Sequence, residues 1–333
     1  MSNKRQIEKE GPGGAQPVDS GGLRPNPIRI LLADDGSEHA RAAVALLKDL
    51  PLPPDTHIHA LAVVPTLDVS RHGMLEAALE RTARELNESG LQVATEIKGG
   101  VPAATINDYA ERHKPDLIVL GAKGLRATLG ILLGGVAQQV VEYSRRPVLV
   151  VRAPYNGIKR VLVVTDGSSH SQCALAYLGA DVSEAPTLLP VCEARLPLPP
   201  EADITVMHVL PPILSADMVA RSWMVGPDML FPIPTEAVDD RELEHQERQQ
   251  GQTLLDDSVR SLKAGGMKAS SELRRGDAAT EAIEFIKANN SDLVVCGSRG
   301  LSQVSGWLLG SVSRKLVHYS GCSVLIVKGG KVD

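Results

Sequence analysis

The chain has 333 residues, of which 43% are hydrophobic and 23% charged, as expected of a globular protein with room for two domains. Its formal net charge of -5 disfavours a nucleic-acid-binding protein, and no apolar run is long enough to span a membrane. The four cysteines are scattered without a C-x-x-C pair, so no disulfide framework is indicated and we expect a cytoplasmic protein.

The first half of the chain alternates between buried strands and helices. Residues 1–26 combine charges, glycine and proline without an apolar stretch, which predicts a disordered tail. A first domain is expected over 27–153. Its predicted strands are 28–33, 58–64, 91–97, 117–121 and 148–151, with helices beginning near Ser37, Arg71, Pro102 and Gly134.

The second half repeats this alternation over 158–329, after a hinge at 153–157. Its predicted strands are 160–165, 204–210, 268–273, 293–297 and 323–327, with helices beginning near Ser168, Thr235, Asp277 and Gly310. Alternating strands and helices form a parallel sheet with helices on both faces. We therefore expect an α/β protein with two tandem, doubly wound, Rossmann-like domains, each with a parallel five-stranded sheet.

An internal duplication underlies this pattern. The segment DLIVLGAKGL at 116–125 is echoed by DLVVCGSRGL at 292–301, an offset of 176 residues (292 − 116), and 148–151 matches 324–327 at the same offset. The first strands begin only 131 residues apart (Ile30 and Val161, 161 − 30). The second copy therefore carries an insertion, which we place in the proline-rich stretches near 186–200 and 211–234.

The second copy carries a glycine motif after its fourth strand. It reads GSRG at 297–300, then nine residues, then GSVS at 310–313, where the next helix opens. The free N–H groups and the dipole of a helix N-terminus attract anions, phosphate in particular. The hydroxyls of Ser311 and Ser313 would add donors to phosphate oxygens. Glycines that only shape turns are the alternative at this point.

The spacing G-x-x-G-x9-G-[ST], with an Asp closing the first strand, resembles the ATP-binding branch of the universal stress protein family over nearly the whole chain beyond the tail. The resemblance implies an adenine nucleotide alpha hydrolase-like fold that binds ATP or another adenine nucleotide, together with Mg²⁺. It also implies that Val209 contacts adenine and that the glycine motif holds the phosphates. The residues assigned to this site are Thr165, Asp166, Val209, Gly297, Ser298, Arg299, Gly300, Gly310, Ser311, Val312 and Ser313.

The first domain departs from the motif at its hydroxyl positions. Gly135 and Ala137 stand where the second domain has Ser311 and Ser313. The residues that match the family positions are Asp35, Val63, Gly121, Gly124, Gly134 and Gly135. Weak nucleotide binding and a degenerate structural partner remain equal alternatives for this half, and the second domain is expected to be the better site.

Three classes of function are compatible with these patterns. The first is a nucleotide-binding regulatory protein, with the stress-response role implied by the resemblance. The second is an enzyme, such as a slow ATPase or a nucleotidyl transferase, for which Arg299 is the only suggestive cation. The third is a nucleotide-free interaction module. The resemblance also predicts that strands 148–151 and 324–327 meet in an internal pseudo-dimer, and it leaves a further homodimer open.

Overall fold

The computed structural model describes residues 27–65, 71–125, 133–180, 195–212, 240–300 and 309–329. The first unit runs from β1 to β5. Its elements are β1 (Arg29–Ala33), α1 (Glu38–Asp49), β2 (His57–Val64), α2 (His72–Glu88), β3 (Gln92–Gly99), α3 (Pro102–His113), β4 (Leu117–Gly121), α4 (Gly135–Tyr143) and β5 (Val148–Val151).

The second unit runs from β6 to β10 and repeats this order. Its elements are β6 (Arg160–Val164), α5 (Ser169–Tyr177), β7 (Asp203–Leu210), α6 (Asp240–Ala264), β8 (Lys268–Arg275), α7 (Ala278–Asn289), β9 (Leu293–Gly297), α8 (Ser311–Tyr319) and β10 (Ser323–Val327). The helix predicted to begin near Thr235 is described from Asp240 onward, and Thr235 lies outside the described residues. Each helix of the described segments is too short or too polar to cross a bilayer.

All ten strands belong to one sheet, in the order β3-β2-β1-β4-β5-β10-β9-β6-β7-β8. Neighbours within each unit are parallel. The central strands are uniform runs of Val, Leu and Ile because helices cover them on both faces. Successive residues of β1 belong to different core clusters, with Leu32 in one and Leu31 in the other. Each cluster contains residues of both units, so the core is continuous across the boundary.

The two units join through their last strands. Val148, Leu149 and Val150 of β5 pair antiparallel with Ile326, Leu325 and Val324 of β10, respectively. The predicted meeting of these strands is confirmed. The two predicted five-stranded sheets are therefore the halves of a single ten-stranded sheet.

Two buried basic side chains cross this boundary in a symmetric way. The Arg152 guanidinium, just after β5, donates to the carbonyl of Val317 in α8 at 2.8 Å and to that of Cys322 at 3.1 Å. The Lys328 ammonium, just after β10, donates to the carbonyl of Val141 in α4 at 2.7 Å. Each cation thus binds carbonyl groups near the C-terminus of the other unit's last helix, where positive charge is favourable.

Replacing Arg152 by Met should lower the free energy of unfolding by about 2–4 kcal/mol, because the carbonyls of Val317 and Cys322 would lose their donor in a buried place. Urea unfolding followed by circular dichroism measures this change. The exposed Arg145 offers a matched control, and Arg145→Met should change stability by less than about 0.5 kcal/mol. Equal effects of the two variants would contradict the role given to Arg152.

Burial, and next the charge of Arg299, lower the pKa of Lys328 from 10.5 to about 8. Between these values the unfolded chain holds more protons at this site than the folded one, so the contribution of Lys328 to stability rises with pH. The difference in unfolding free energy between the unmodified protein and Lys328→Met should therefore grow from about pH 8 to about pH 10. A difference independent of pH over this window would mean that Lys328 titrates normally.

Candidate functional site

A cleft of about 510 Å³ opens in the first unit at the carboxyl ends of β1 and β4. The strand order reverses between these two strands, and ligands of open α/β sheets bind at such a switch point. Its apolar lining includes Leu61, Val63, Leu75, Ile106, Leu120 and Leu133. Its charged lining residues are Asp34, Asp35, Arg71 and Lys123. Arg71 and Lys123 are not among the site residues predicted from the sequence, although Lys123 lies within the glycine loop.

The two aspartates at the end of β1 have different roles. Asp34 is 4% exposed and accepts hydrogen bonds from the Thr82 hydroxyl at 2.6 Å and from the N–H of Gly36 at 2.8 Å. Asp35 accepts from the N–H of Ser37 at 3.0 Å and from that of Leu125 at 3.1 Å. The buried Asp34 therefore stabilises the turn after β1, whereas Asp35 links this turn to the glycine loop after β4.

The helices that open at the glycine motif lack a side-chain cap. Ser37, Ser168 and Asp277 each cap a helix elsewhere in the chain by accepting a backbone N–H. The corresponding residues of α4 and α8 are Gly134 and Gly310, which have no side chain to do so. The first N–H groups of α4 and α8 have no carbonyl partner within the helix, so each N-terminus can serve as an anion site at its cleft.

The first glycine of each motif is required for packing. A Cβ on Gly121 would lie 2.8 Å from the backbone carbon of His39, and one on Gly297 would lie 2.6 Å from that of His170. These atoms belong to the starts of α1 and α5 in their respective units. A side chain at either position would therefore collide with a neighbouring helix, although Gly121 also lines the cleft.

The second glycine of each motif contacts the aspartate at the first strand end. A Cβ on Gly124 would lie 2.6 Å from Oδ2 of Asp35. Gly300 makes the same close approach to Asp166. The glycine loop and the acidic strand end therefore lie against each other in both units, as a shared site for both requires.

Only one of the two serines at the start of α8 presents its hydroxyl to the exterior. Ser311 is exposed, whereas Ser313 is 4% exposed and donates its hydroxyl hydrogen to the carbonyl of Gly297 at 2.7 Å. The prediction that Ser313 donates to a phosphate is therefore wrong in this structure, since its hydrogen joins α8 to the end of β9. The first unit lacks this bond because Ala137 occupies the matching position.

Thr165 also has an internal role. It is 2% exposed, and its hydroxyl donates to the Ser171 hydroxyl at 3.1 Å. Its carbonyl lies 2.9 Å from Nδ1 of His208. Both oxygens of Thr165 therefore join β6 to neighbouring elements, and its assignment to the ligand site stays a prediction. Asp166, the next residue, is half-buried and accepts from the N–H of Ser168 at 3.0 Å.

The structure also gives the positions of Val63, Val209, Ser298 and Arg299. Val63 lines the first cleft near the end of β2, and Val209 occupies the matching half-buried position of β7. Arg299 is half-buried in the loop after β9, and Ser298 is 3% exposed. The carbonyl of Ser298 accepts from the N–H of Gly310 at 2.7 Å, which joins the two halves of the motif.

Comparison with known sequences agrees with this architecture. The family described as the universal stress protein family matches residues 28–152 and again 157–328. The chain belongs to this family, as a tandem member. A universal stress protein of Mycolicibacterium smegmatis is 25% identical over 327 residues, covering 90% of this chain and 96% of that protein. One from Methanocaldococcus jannaschii is 33% identical over 144 residues, covering 38% of this chain and 82% of that protein.

Solved structures show the same fold in the family. A universal stress protein from Archaeoglobus fulgidus superposes with a TM-score of 0.57 at 19% identity, covering 92% of this chain and 98% of that one. A Pseudomonas aeruginosa protein described as a putative universal stress protein gives a TM-score of 0.58 at 18% identity, covering 91% and 94%. The predicted tandem Rossmann-like fold of this universal stress protein is therefore confirmed.

Replacing Gly297 by Ala should lower stability by about 1–3 kcal/mol, since the new methyl group would collide with the backbone at His170. Gly135→Ala is the matched control, because a Cβ there has no neighbour within 4 Å, and its effect should stay below about 0.5 kcal/mol. Thermal unfolding of both variants measures the contrast. If Gly297→Ala proved as stable as the control, the packing role of this glycine would be refuted.

Proposed function

We propose that the second unit binds an adenine nucleotide, ATP with Mg²⁺, and that nucleotide occupancy regulates this universal stress protein. The phosphates would lie at the N-terminus of α8. The nucleoside would extend along the ends of β6 and β7, where Asp166 and Val209 lie. Ligands of open α/β sheets usually bind in this position, at the carboxyl ends of the strands where the strand order reverses.

The start of α8 is the feature that most supports nucleotide binding in the second unit. Gly310 leaves the helix without a side-chain cap, and the exposed Ser311 hydroxyl stands at its first turn. A phosphate there would accept from free N–H groups and from that hydroxyl, and the helix dipole would favour its charge. Arg299 supplies a positive side chain from the loop beside Gly310.

The second unit is favoured over the first because of this one hydroxyl. The matching residue in α4 is Gly135, which offers a phosphate only its backbone N–H. A hydrogen bond to a charged group contributes about 1.5–3 kcal/mol, which corresponds to roughly a ten- to hundredfold difference in dissociation constant. Ser313 adds nothing to this difference, since its hydroxyl hydrogen is donated to Gly297.

Mg²⁺ would bind mainly through the phosphates and water, as it does in most nucleotide sites. Within the described residues no three His, Cys, Asp or Glu side chains cluster in a way that could hold a metal ion by themselves. Asp166 is the carboxylate at the first strand end beside the glycine loop. It would bind the ion through a water molecule or accept a hydrogen bond from the ribose.

The first experiment is to denature the purified protein and to quantify any released nucleotide by chromatography and mass spectrometry. We expect about one adenine nucleotide per chain. Ser311→Ala should weaken Mg-ATP binding roughly ten- to hundredfold in titration calorimetry. It should leave stability unchanged, because no hydrogen bond of the fold depends on that hydroxyl among the described contacts.

Gly135→Ala is the matched control in the first unit, and it should leave Mg-ATP affinity unchanged. A stoichiometry near two would show that the backbone N–H groups at Gly135 suffice. Absence of released nucleotide, with no rise in melting temperature on adding Mg-ATP, would overturn the proposal in favour of the nucleotide-free interaction module. Release of phosphate above that of a boiled sample would instead identify a slow ATPase.

A further inference from the structure

The duplication allows the lining of the first-unit cleft to be compared with the matching positions of the second unit. Three positions that bear a hydroxyl in the second unit are apolar in the first. These pairs are Ser298 with Ala122, Ser311 with Gly135, and Ser313 with Ala137. At a fourth position the first unit has the larger apolar side chain, Ile106 against Ala282. All four first-unit residues line the cleft of about 510 Å³.

This cleft has the size and lining of a small-molecule site. Pockets that enclose ligands of moderate size typically measure about 300–1,000 Å³ and are mostly apolar, with a few placed polar groups. Here the apolar wall includes Leu61, Leu75, Ile106 and Leu133, which come from β2, α2, α3 and the segment before α4. A hydrocarbon would cover this wall, whereas the ribose and phosphates of a nucleotide would leave the part beyond the base without an apolar partner.

The charged groups of the cleft favour one negative charge on the ligand. Asp34 and Asp35 each accept two hydrogen bonds from the protein, so their carboxylate oxygens already have donors. Lys123 and Arg71 line the same cleft with positive charge. The uncapped start of α4 at Gly135 adds N–H donors at the same end of the cavity.

We propose that the first unit binds an amphipathic carboxylate, a ligand with a hydrocarbon body and a single terminal negative charge. The hydrocarbon would lie against Leu61, Leu75 and Ile106, and the carboxylate would lie near Lys123 and the N-terminus of α4. This inference rests on the proposed function only in assigning the nucleotide to the second unit. The two clefts would then bind different ligands on one sheet.

A chain-length series tests the apolar part of the site. The full-length protein is titrated calorimetrically with hexanoate, octanoate and decanoate at about pH 7.5, below their micelle concentrations. Each added methylene buried in the cleft should tighten binding about fourfold. Lack of decanoate binding, or an affinity independent of chain length, would overturn the inference.

Two variants of Gly135, one with a charged side chain and one with a neutral side chain of similar shape, test where the ligand carboxylate binds. Gly135 has no neighbour within 4 Å of an added Cβ, and its φ is not positive. An acidic side chain at the first helical position is favourable for the helix, so Gly135→Asp should fold. It should weaken decanoate binding by at least about tenfold, because the new carboxylate repels the ligand. The decanoate affinity of Gly135→Asn should stay within about threefold of that of the unmodified protein. Equal decanoate affinity of the two variants would refute the site.

Lys123→Gln provides a second variant that does not depend on α4. It should weaken decanoate binding about three- to tenfold through loss of its charge, with an unchanged melting temperature. An unchanged affinity in this variant would contradict the placement of the carboxylate at this end of the cleft.

Ser311→Asp separates this inference from the proposed nucleotide site. In that variant Mg-ATP binding should be lost from the second unit, while decanoate affinity stays at that of the unmodified protein. If Mg-ATP still bound to Ser311→Asp and displaced decanoate, the first cleft would be a nucleotide site and the inference would be wrong. Loss of Mg-ATP binding without any decanoate binding would leave the proposed function intact and refute the inference alone.

Discussion

Three antiparallel residue pairs between β5 and β10 turn two five-stranded sheets into one. The rest of the structure depends on this pairing, since it leaves neither last strand with an unpaired inner edge and merges the cores of the two units. It also brings Arg152 and Lys328 to the ends of helices in the opposite unit. Since both cations are buried, the carbonyl groups of the opposite unit offset the cost of removing them from water.

The same two helices, α4 and α8, connect this boundary to the clefts. Each begins at an uncapped glycine of the motif and ends at carbonyls held by a cation of the other unit. Positive charge at a helix C-terminus stabilises the helix. The contacts between the units therefore support the position of both helices that begin at the glycine motif.

The two units keep the same supporting residues and differ at the first position of the helix after the glycine motif. Gly121 and Gly297 pack against helix backbones in the same way, and Asp35 and Asp166 both contact the glycine loop. One difference falls at Gly135 and its counterpart Ser311, and an added Cβ at Gly135 has open space. A duplicated fold can diverge in ligand at such positions because the substitutions cost little stability.

The sequence by itself determined the strand and helix order, the duplication and the place of the glycine motif, because apolar runs, periodicity and repeats are local properties. Only the tertiary structure decided which motif residues face the cleft. Ser311 and Ser313 look equivalent in sequence, yet successive helix positions point in different directions and only Ser311 is exposed. Arg152 gave no sequence signal, since its partners, Val317 in α8 and Cys322 after it, are 165 and 170 residues away and only the pairing of β5 with β10 brings them together.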